Sequence, residues 1–342
     1  MNSAVDGLGI PNLFEYATHE LSQDAALCWL LAWANPELKS TNKPMHEIGF
    51  ALLKAILEKE GSSELLNDLT KLQVIRQWNN IDILVRMNGR HTKHALIIED
   101  KIGSGAHSNQ LQRYRELILR DGYDESQIHC VYLKTMDQTD YVHAFNDGYV
   151  PFVRGDMLEV LRHFKDTDNA IFSDFLRRLE SIESLVKTYL RIPVDRWGHE
   201  LPAISWTGFF SALKHAMPEI TWSRVNNVAG GYWGATWHWQ HQGPFVHIRE
   251  NQLAICLNAS GIEDRQGFKY RWHRLALDTG QKTGIELRKP YRMRIGETMT
   301  IAESVADYRH VDQSGIIDIE STVRFLKRFS TLIDEMNNQI KV

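Results

Sequence analysis

Two apolar runs separated by a short polar stretch frame the first half of the chain. Ile81-Asp82-Ile83-Leu84-Val85 and Ala95-Leu96-Ile97-Ile98-Glu99-Asp100-Lys101 have strand composition, and Asn88-Gly89 with the polar residues after it reads as a hairpin connection. A hairpin centred between Arg90 and His91 sets Asp82 against Glu99, Leu84 against Ile97 and Arg86 against Ala95. Side chains alternate across a sheet, so Lys101 shares the face of Glu99 and Asp82. Ile83, Val85, Leu96 and Ile98 take the opposite face, which reads as a core.

Elsewhere the period lengthens. Thr18 to Asp24 is polar and leads into Ala25 to Trp33, apolar almost all round, which predicts a buried helix; a second helix is expected over Glu47 to Glu60. After the hairpin come a helix from Gln110 to Leu119, a strand at Ile128 to Leu133, a short strand at Tyr149 to Val153, and helices around Met157 to Phe164 and Ala170 to Leu190. This order is α/β. Pro193, Gly198 and Pro202 then interrupt the pattern as a linker would, predicting one domain over 1–192 and an α+β accessory domain over 193–342. Strand-like runs at Tyr232 to Gln240, Pro244 to Glu250 and Gln252 to Leu257, with turns at Gly230-Gly231 and Gln242-Gly243, predict an antiparallel meander. Trp237 and Trp239 are expected on its buried face, His238 and Gln240 on the other. A helix from Ile319 to Ile340, with Val323, Leu326, Phe329 or Ser330, and Ile333 on one stripe, ends the pattern. There is no internal repeat.

The hairpin also carries chemistry. Directly opposed side chains have Cβ atoms roughly 5 Å apart, and like charges there are destabilising, so Asp82 and Glu99 call for a compensating cation. Magnesium takes oxygen ligands of this kind and retains waters and substrate phosphate. Lys101 beside it would orient a water or stabilise charge on phosphate oxygens, which points to phosphodiester hydrolysis. The same residues also read as a surface cluster in which Glu99 pairs with Lys101, and such pairs are worth little.

Asp-Ile-Leu-Val from Asp82, Leu-Ile-Ile-Glu-Asp-Lys-Ile from Leu96, and Gln110-Leu111-Gln112-Arg113-Tyr114 together resemble the PD-(D/E)xK nuclease superfamily, with the Gln-x-x-x-Tyr element of its RecB-like branch. The resemblance implies a restriction-endonuclease-like mixed sheet flanked by helices. It implies Asp82, Glu99 and the carbonyl of Asp100 as magnesium ligands, with manganese able to substitute, and Lys101 as the catalytic lysine. Ile81 stands where the family has a Pro, which many relatives also lack. Gln110 and Tyr114, four apart on a helix, share a face; the resemblance turns that face into the active site, whereas packing of Tyr114 with Leu111, Leu117 and Ile118 is the other fate of the pair. Glu20 is implied as a third acidic ligand, although an acid in a first helical turn also simply complements the helix dipole. Phe14 to Trp33 looks like the opening of a bacterial group of stand-alone members, which implies a role in restriction or anti-phage defence.

Composition bounds the rest. Among 342 residues, 43% are hydrophobic and 24% charged, with no run of about twenty apolar residues, so no membrane span is expected. The opening, with Asp6 and no basic segment before an apolar one, does not read as a signal peptide. Cys28, Cys130 and Cys256 are odd in number and widely spaced, giving neither a disulfide framework nor a zinc site and fitting a reducing cytoplasm. Residues 1–192 hold 21 Lys and Arg against 27 Asp and Glu, and residues 193–342 hold 18 against 16. DNA, the expected partner, must therefore meet local basic patches or the second half of the chain. Lys269, Arg271, Trp272 and Arg274, then Arg292 and Arg294, interleave cations with aromatics and are the candidate nucleic-acid contacts; Trp272 also reads as core. A different class of function stays open: a silent nuclease fold that grips nucleic acid or a partner protein. A homo-oligomer is also compatible with the sequence.

Overall fold

The structure, a computed structural model, describes residues 11–103, 109–226 and 230–340. Asp6, with the rest of the opening, lies outside them. Two compact units are present, one running to Asp137 and resuming over Tyr141–Glu183, the other made of Gln138–Asp140 and Ser184–Val342.

The first unit contains α1 (Leu13–Tyr16), α2 (Glu20–Ala32), α3 (Lys43–Glu60), β1 (Leu69–Trp78), β2 (Ile81–Gly89), β3 (Lys93–Lys101), α4 (Gln110–Arg120), β4 (Ile128–Lys134), α5 (Val142–Asn146), β5 (Val150–Val153), α6 (Arg154–Leu161) and α7 (Ala170–Val186). Its strands form one mixed sheet in the order β1-β2-β3-β4-β5, antiparallel as far as β3 and parallel beyond. The β2–β3 register is the one expected, with Leu84 opposite Ile97 and Arg86 opposite Ala95. Both faces are covered. Ile83, Val85, Leu96 and Ile98 pack with Leu30, Leu52 and Phe172 on one side. Leu84, Ala95 and Ile97 meet Leu111, Tyr114 and Ile118 of α4 on the other. Burial on both faces accounts for the unbroken apolar runs of β3 and β4.

Strand β1 is absent from the sequence expectation. It is an edge strand with most positions exposed or half-buried, and Lys71, Gln73, Arg76 and Gln77 blur its alternation. Helix α3 starts on Asn42, whose side chain accepts from Met45 N, and ends at Gly61, which takes φ 91°. Its Gly49 faces α2 with no room to spare: a Cβ there would run into the Leu30 carbonyl and stand 2.8 Å from Ala34 N.

The second unit contains α8 (Trp197–Glu200), α9 (Ser205–Ala216), β6 (Thr221–Val225), β7 (Tyr232–Trp237), β8 (Gln242–Arg249), β9 (Gln252–Ala259), α10 (Arg265–Thr283), β10 (Leu287–Arg288), β11 (Thr298–Ser304) and α11 (Ile319–Ile340). The expected meander is the centre of an antiparallel sheet ordered β10-β11-β9-β8-β7-β6. Phe209, Trp222, Trp237, Ile255, Trp272, Leu326 and Phe329 belong to one core that joins this sheet to its helices. One expectation is corrected. Strand β7 stops at Trp237 because His238 turns to φ 56°, which breaks the alternation. Trp237 is buried and donates to Ser330 Oγ at 3.1 Å, whereas Trp239 is 58% exposed and leans on Phe245. No helix among the described residues is long and apolar enough to cross a membrane.

Candidate active site

The start of β2 and the ends of β3 and β4 lie together at one end of the first sheet, and their residues supply the polar cluster. Asp82 Oδ2 accepts the Asp100 amide at 3.0 Å and lies 3.3 Å from Lys101 Nζ. Glu99 is buried, and its Oε1 stands 2.6 Å from the same ammonium. The Asp100 carbonyl completes the set, accepting from Lys101 Nζ at 3.1 Å. Three oxygens, two from carboxylates and one from the main chain, therefore surround one cationic nitrogen. Burial opposes the charge on Lys101, but Glu99 and then Asp82 outweigh it and hold its pKa above the ordinary lysine range.

One atom of the cluster is left over. Glu99 Oε2 is buried without a hydrogen-bond partner among the described residues, and burial, with Asp82 nearby, pushes the Glu99 carboxyl up to about 7. An ionised carboxylate in that position has unused acceptor capacity that a further cation would satisfy. The donor set is all oxygen, which suits a hard ion such as magnesium and not zinc. Among the described residues no three His, Cys, Asp or Glu side chains converge on one point. The ligands available at the cluster are thus two carboxylates and a main-chain carbonyl, and the remaining positions would fall to water and substrate.

Glu20, in the first turn of α2, accepts the Ile102 amide through Oε1 at 3.2 Å and acts electrostatically on Lys101 and Lys134. It flanks the cluster and meets the chain just beyond β3. Gln110 bridges Glu99 to Tyr114, donating to Glu99 Oε1 at 2.8 Å and to the tyrosine hydroxyl at 2.8 Å. The Tyr114 ring is buried in the core, and its hydroxyl is linked through Gln110 to Glu99.

Several polar residues at this end of the sheet escape the sequence reading. Gln77, at φ 56° near the end of β1, donates to Asp82 Oδ1 at 3.0 Å and to Asp24 Oδ2 at 3.1 Å. The Asp100 side chain points away from Glu99, as strand alternation requires, and takes the Gln23 amide at 2.6 Å. Gln23 in turn accepts from Thr135. Burial drives both Asp24, up to about 6, and Asp100 upward; Asp82 adds to the first and Asp24 to the second, while the contact with Asp100 pulls Asp24 back. Lys134 is buried beside Lys101 in the parallel β3–β4 register, and burial, with Lys101 adding to it, brings its pKa down to about 8 against the pull of Glu20. The parity of Cys130, Tyr132 and Lys134 along β4 was the available signal.

The basic residues singled out in the second unit are divided by α10. Lys269 is buried, with its ammonium on the Arg294 carbonyl at 2.7 Å, and Trp272 belongs to the core. As placed, neither offers anything to a nucleic acid, because the helical period turns them inward. Arg271, Arg274, Arg292 and Arg294 remain exposed.

Comparison with known proteins agrees with this geometry over the first unit. No curated protein and no solved structure matches the chain. The family model of the PD-(D/E)XK nuclease superfamily matches residues 12–192, which take in the mixed sheet, its flanking helices and the whole Asp82, Glu99, Lys101 cluster. The chain belongs to the PD-(D/E)XK nuclease superfamily.

Proposed function

We propose that the chain is a magnesium-dependent nuclease that hydrolyses DNA phosphodiester bonds, with manganese able to substitute. The observation that carries this reading is the cage of Asp82 Oδ2, Glu99 Oε1 and the Asp100 carbonyl, all within 3.3 Å of one cationic atom, next to Glu99 Oε2, which has no hydrogen-bond partner among the described residues. These three residues would hold the ion, with Glu20 as a further acidic group at the rim. A divalent cation bound there supplies Lewis-acid polarisation of a phosphoryl oxygen and lowers the pKa of water. Lys101 keeps its proton firmly, so released from the cage it donates to a phosphate oxygen or orients a water. Gln110 and Tyr114 hold Glu99 in one orientation, and Lys134 adds positive potential beside Lys101. The setting in restriction or anti-phage defence is part of the same proposal and rests on the sequence resemblance.

The test is to incubate the purified protein with circular single-stranded, circular duplex and linear duplex DNA, with magnesium, manganese or chelator, beside Glu99→Ala and Lys101→Ala. Cutting that needs the metal and is lost in both variants is the expected result, and cutting of circles would make the enzyme an endonuclease. Absence of cutting in every condition would overturn the proposal in favour of a nuclease fold that only grips nucleic acid.

A further inference from the structure

The second unit concentrates its positive charge on one short stretch. Residues 265–294 carry nine Lys and Arg against two acids, Asp278 and Glu286, a net of +7 in a chain of formal charge −4, so everything else together carries −11. In the fold this stretch is α10, β10 and the segment leading to β11. Tyr270, Arg271 and Arg274 lie exposed on the outer stripe of α10, where with Leu275 and Asp278 they line a shallow depression. The buried Lys269 turns the other way, and its bond to the Arg294 carbonyl staples the following segment to the helix. Two basic runs separated in sequence are thereby held to one another. Arg292 lies over Tyr291, which is 92% exposed. Arg288 pairs with Glu303, but Arg271, Arg274, Arg292 and Arg294 make no ion pair among the described residues.

Gathering uncompensated like charge costs self-repulsion, and a polyanion laid across it removes that cost. We propose that this face of the second unit binds the phosphate backbone of duplex DNA, with Arg271, Arg274, Arg292 and Arg294 as phosphate contacts. The inference deepens the reading of a DNA-directed enzyme by saying where the second unit grips the substrate. Its test does not depend on cleavage.

Binding of the full-length Glu99→Ala protein to a labelled duplex of about 30 base pairs is followed in chelator by fluorescence anisotropy as salt rises from about 50 to 200 mM. Each phosphate contact contributes about 0.9 to the slope of log affinity against log salt, so four contacts make the parent lose about 100-fold more affinity over this range than Arg271→Gln/Arg274→Gln/Arg292→Gln/Arg294→Gln. A control neutralises four exposed cations elsewhere, Lys43, Lys54, Arg162 and Arg324, which should leave the slope near that of the parent. Equal slopes in parent and patch variant, an equal loss in the control, or no duplex binding by the parent at the lowest salt would each overturn the proposal. So would a patch-dependent loss seen with phosphatidylserine vesicles and not with DNA. Failure of wild-type cleavage would sink the proposed function and leave this result standing, whereas patch-independent binding would do the reverse.

Discussion

Gln77 Nε2 lies 3.0 Å from Asp82 Oδ1, and this one bond decides which oxygen of the aspartate is left for other work. With Oδ1 engaged, Oδ2 faces the Asp100 amide and Lys101. The left-handed backbone of Gln77 aims the amide, which also reaches Asp24 Oδ2. Residues that orient a ligand typically change metal affinity 10- to 100-fold when removed. Gln77→Ala should therefore weaken magnesium and manganese binding by about 10-fold while leaving the fold intact. Titration of the metal-induced rise in melting temperature reads this directly, and an unchanged midpoint would remove Gln77 from the site.

Lys134 allows the electrostatics to be separated from packing. Its ammonium is buried beside Lys101, and a buried charge replaced by an apolar chain of similar length is often neutral or stabilising. Lys134→Met should melt no earlier than wild type and should bind the divalent ion at least as tightly, since a nearby positive charge is gone. Cleavage should nevertheless fall by roughly 100-fold, the usual scale for losing one preorganised donor to developing negative charge. Steady-state cleavage and a thermal melt on the same preparation check both halves; full activity would show that Lys134 only fills space.

The hairpin was legible because its register follows from alternation and a centred turn, and Leu84 opposite Ile97 is where that arithmetic puts it. The same rule failed at Trp239. Nothing local in Trp-His-Trp-Gln announces that His238 adopts a positive φ, so a period of two was carried past the end of β7. Strand β1 was hidden for a different reason, since an edge strand needs few apolar positions. Gln77 and Lys134 carry no motif. Their place in the cluster depends on a left-handed residue near the end of β1 and on a parallel pairing, neither of which a local pattern announces.

The crossing of α2 over α3 is set by a missing methyl group. In an exposed helix Gly→Ala stabilises by up to about 1 kcal/mol, but a Cβ at Gly49 meets the Leu30 carbonyl and stands 2.8 Å from Ala34 N. Overpacking of this kind typically costs about 1–3 kcal/mol. Gly49→Ala should lower the melting temperature and, because α2 carries Glu20, Gln23 and Asp24, should also weaken metal binding. A rise in melting temperature would mean that the helices separate without penalty.

His247 gives the second unit a pH dependence whose sign is fixed. Burial, helped by Arg249 at 3.3 Å, brings its pKa down from 6.5 to about 4. The unfolded chain takes up the proton near 6.5, while the folded chain resists it until about 4. Stability from this group is therefore complete above 6.5 and drains away as the pH falls through that window. A shift of this size corresponds to about 3 kcal/mol. His247→Gln keeps a polar group between Tyr232 and Phe245 but cannot titrate. Denaturant unfolding followed by tryptophan fluorescence at pH 7.5 and pH 4.5 should show a loss in wild type exceeding that in the variant by about 2–3 kcal/mol. Parallel losses in the two proteins would mean that His247 is protonated in the fold, and that the surroundings of Arg249 and Cys256 open to water.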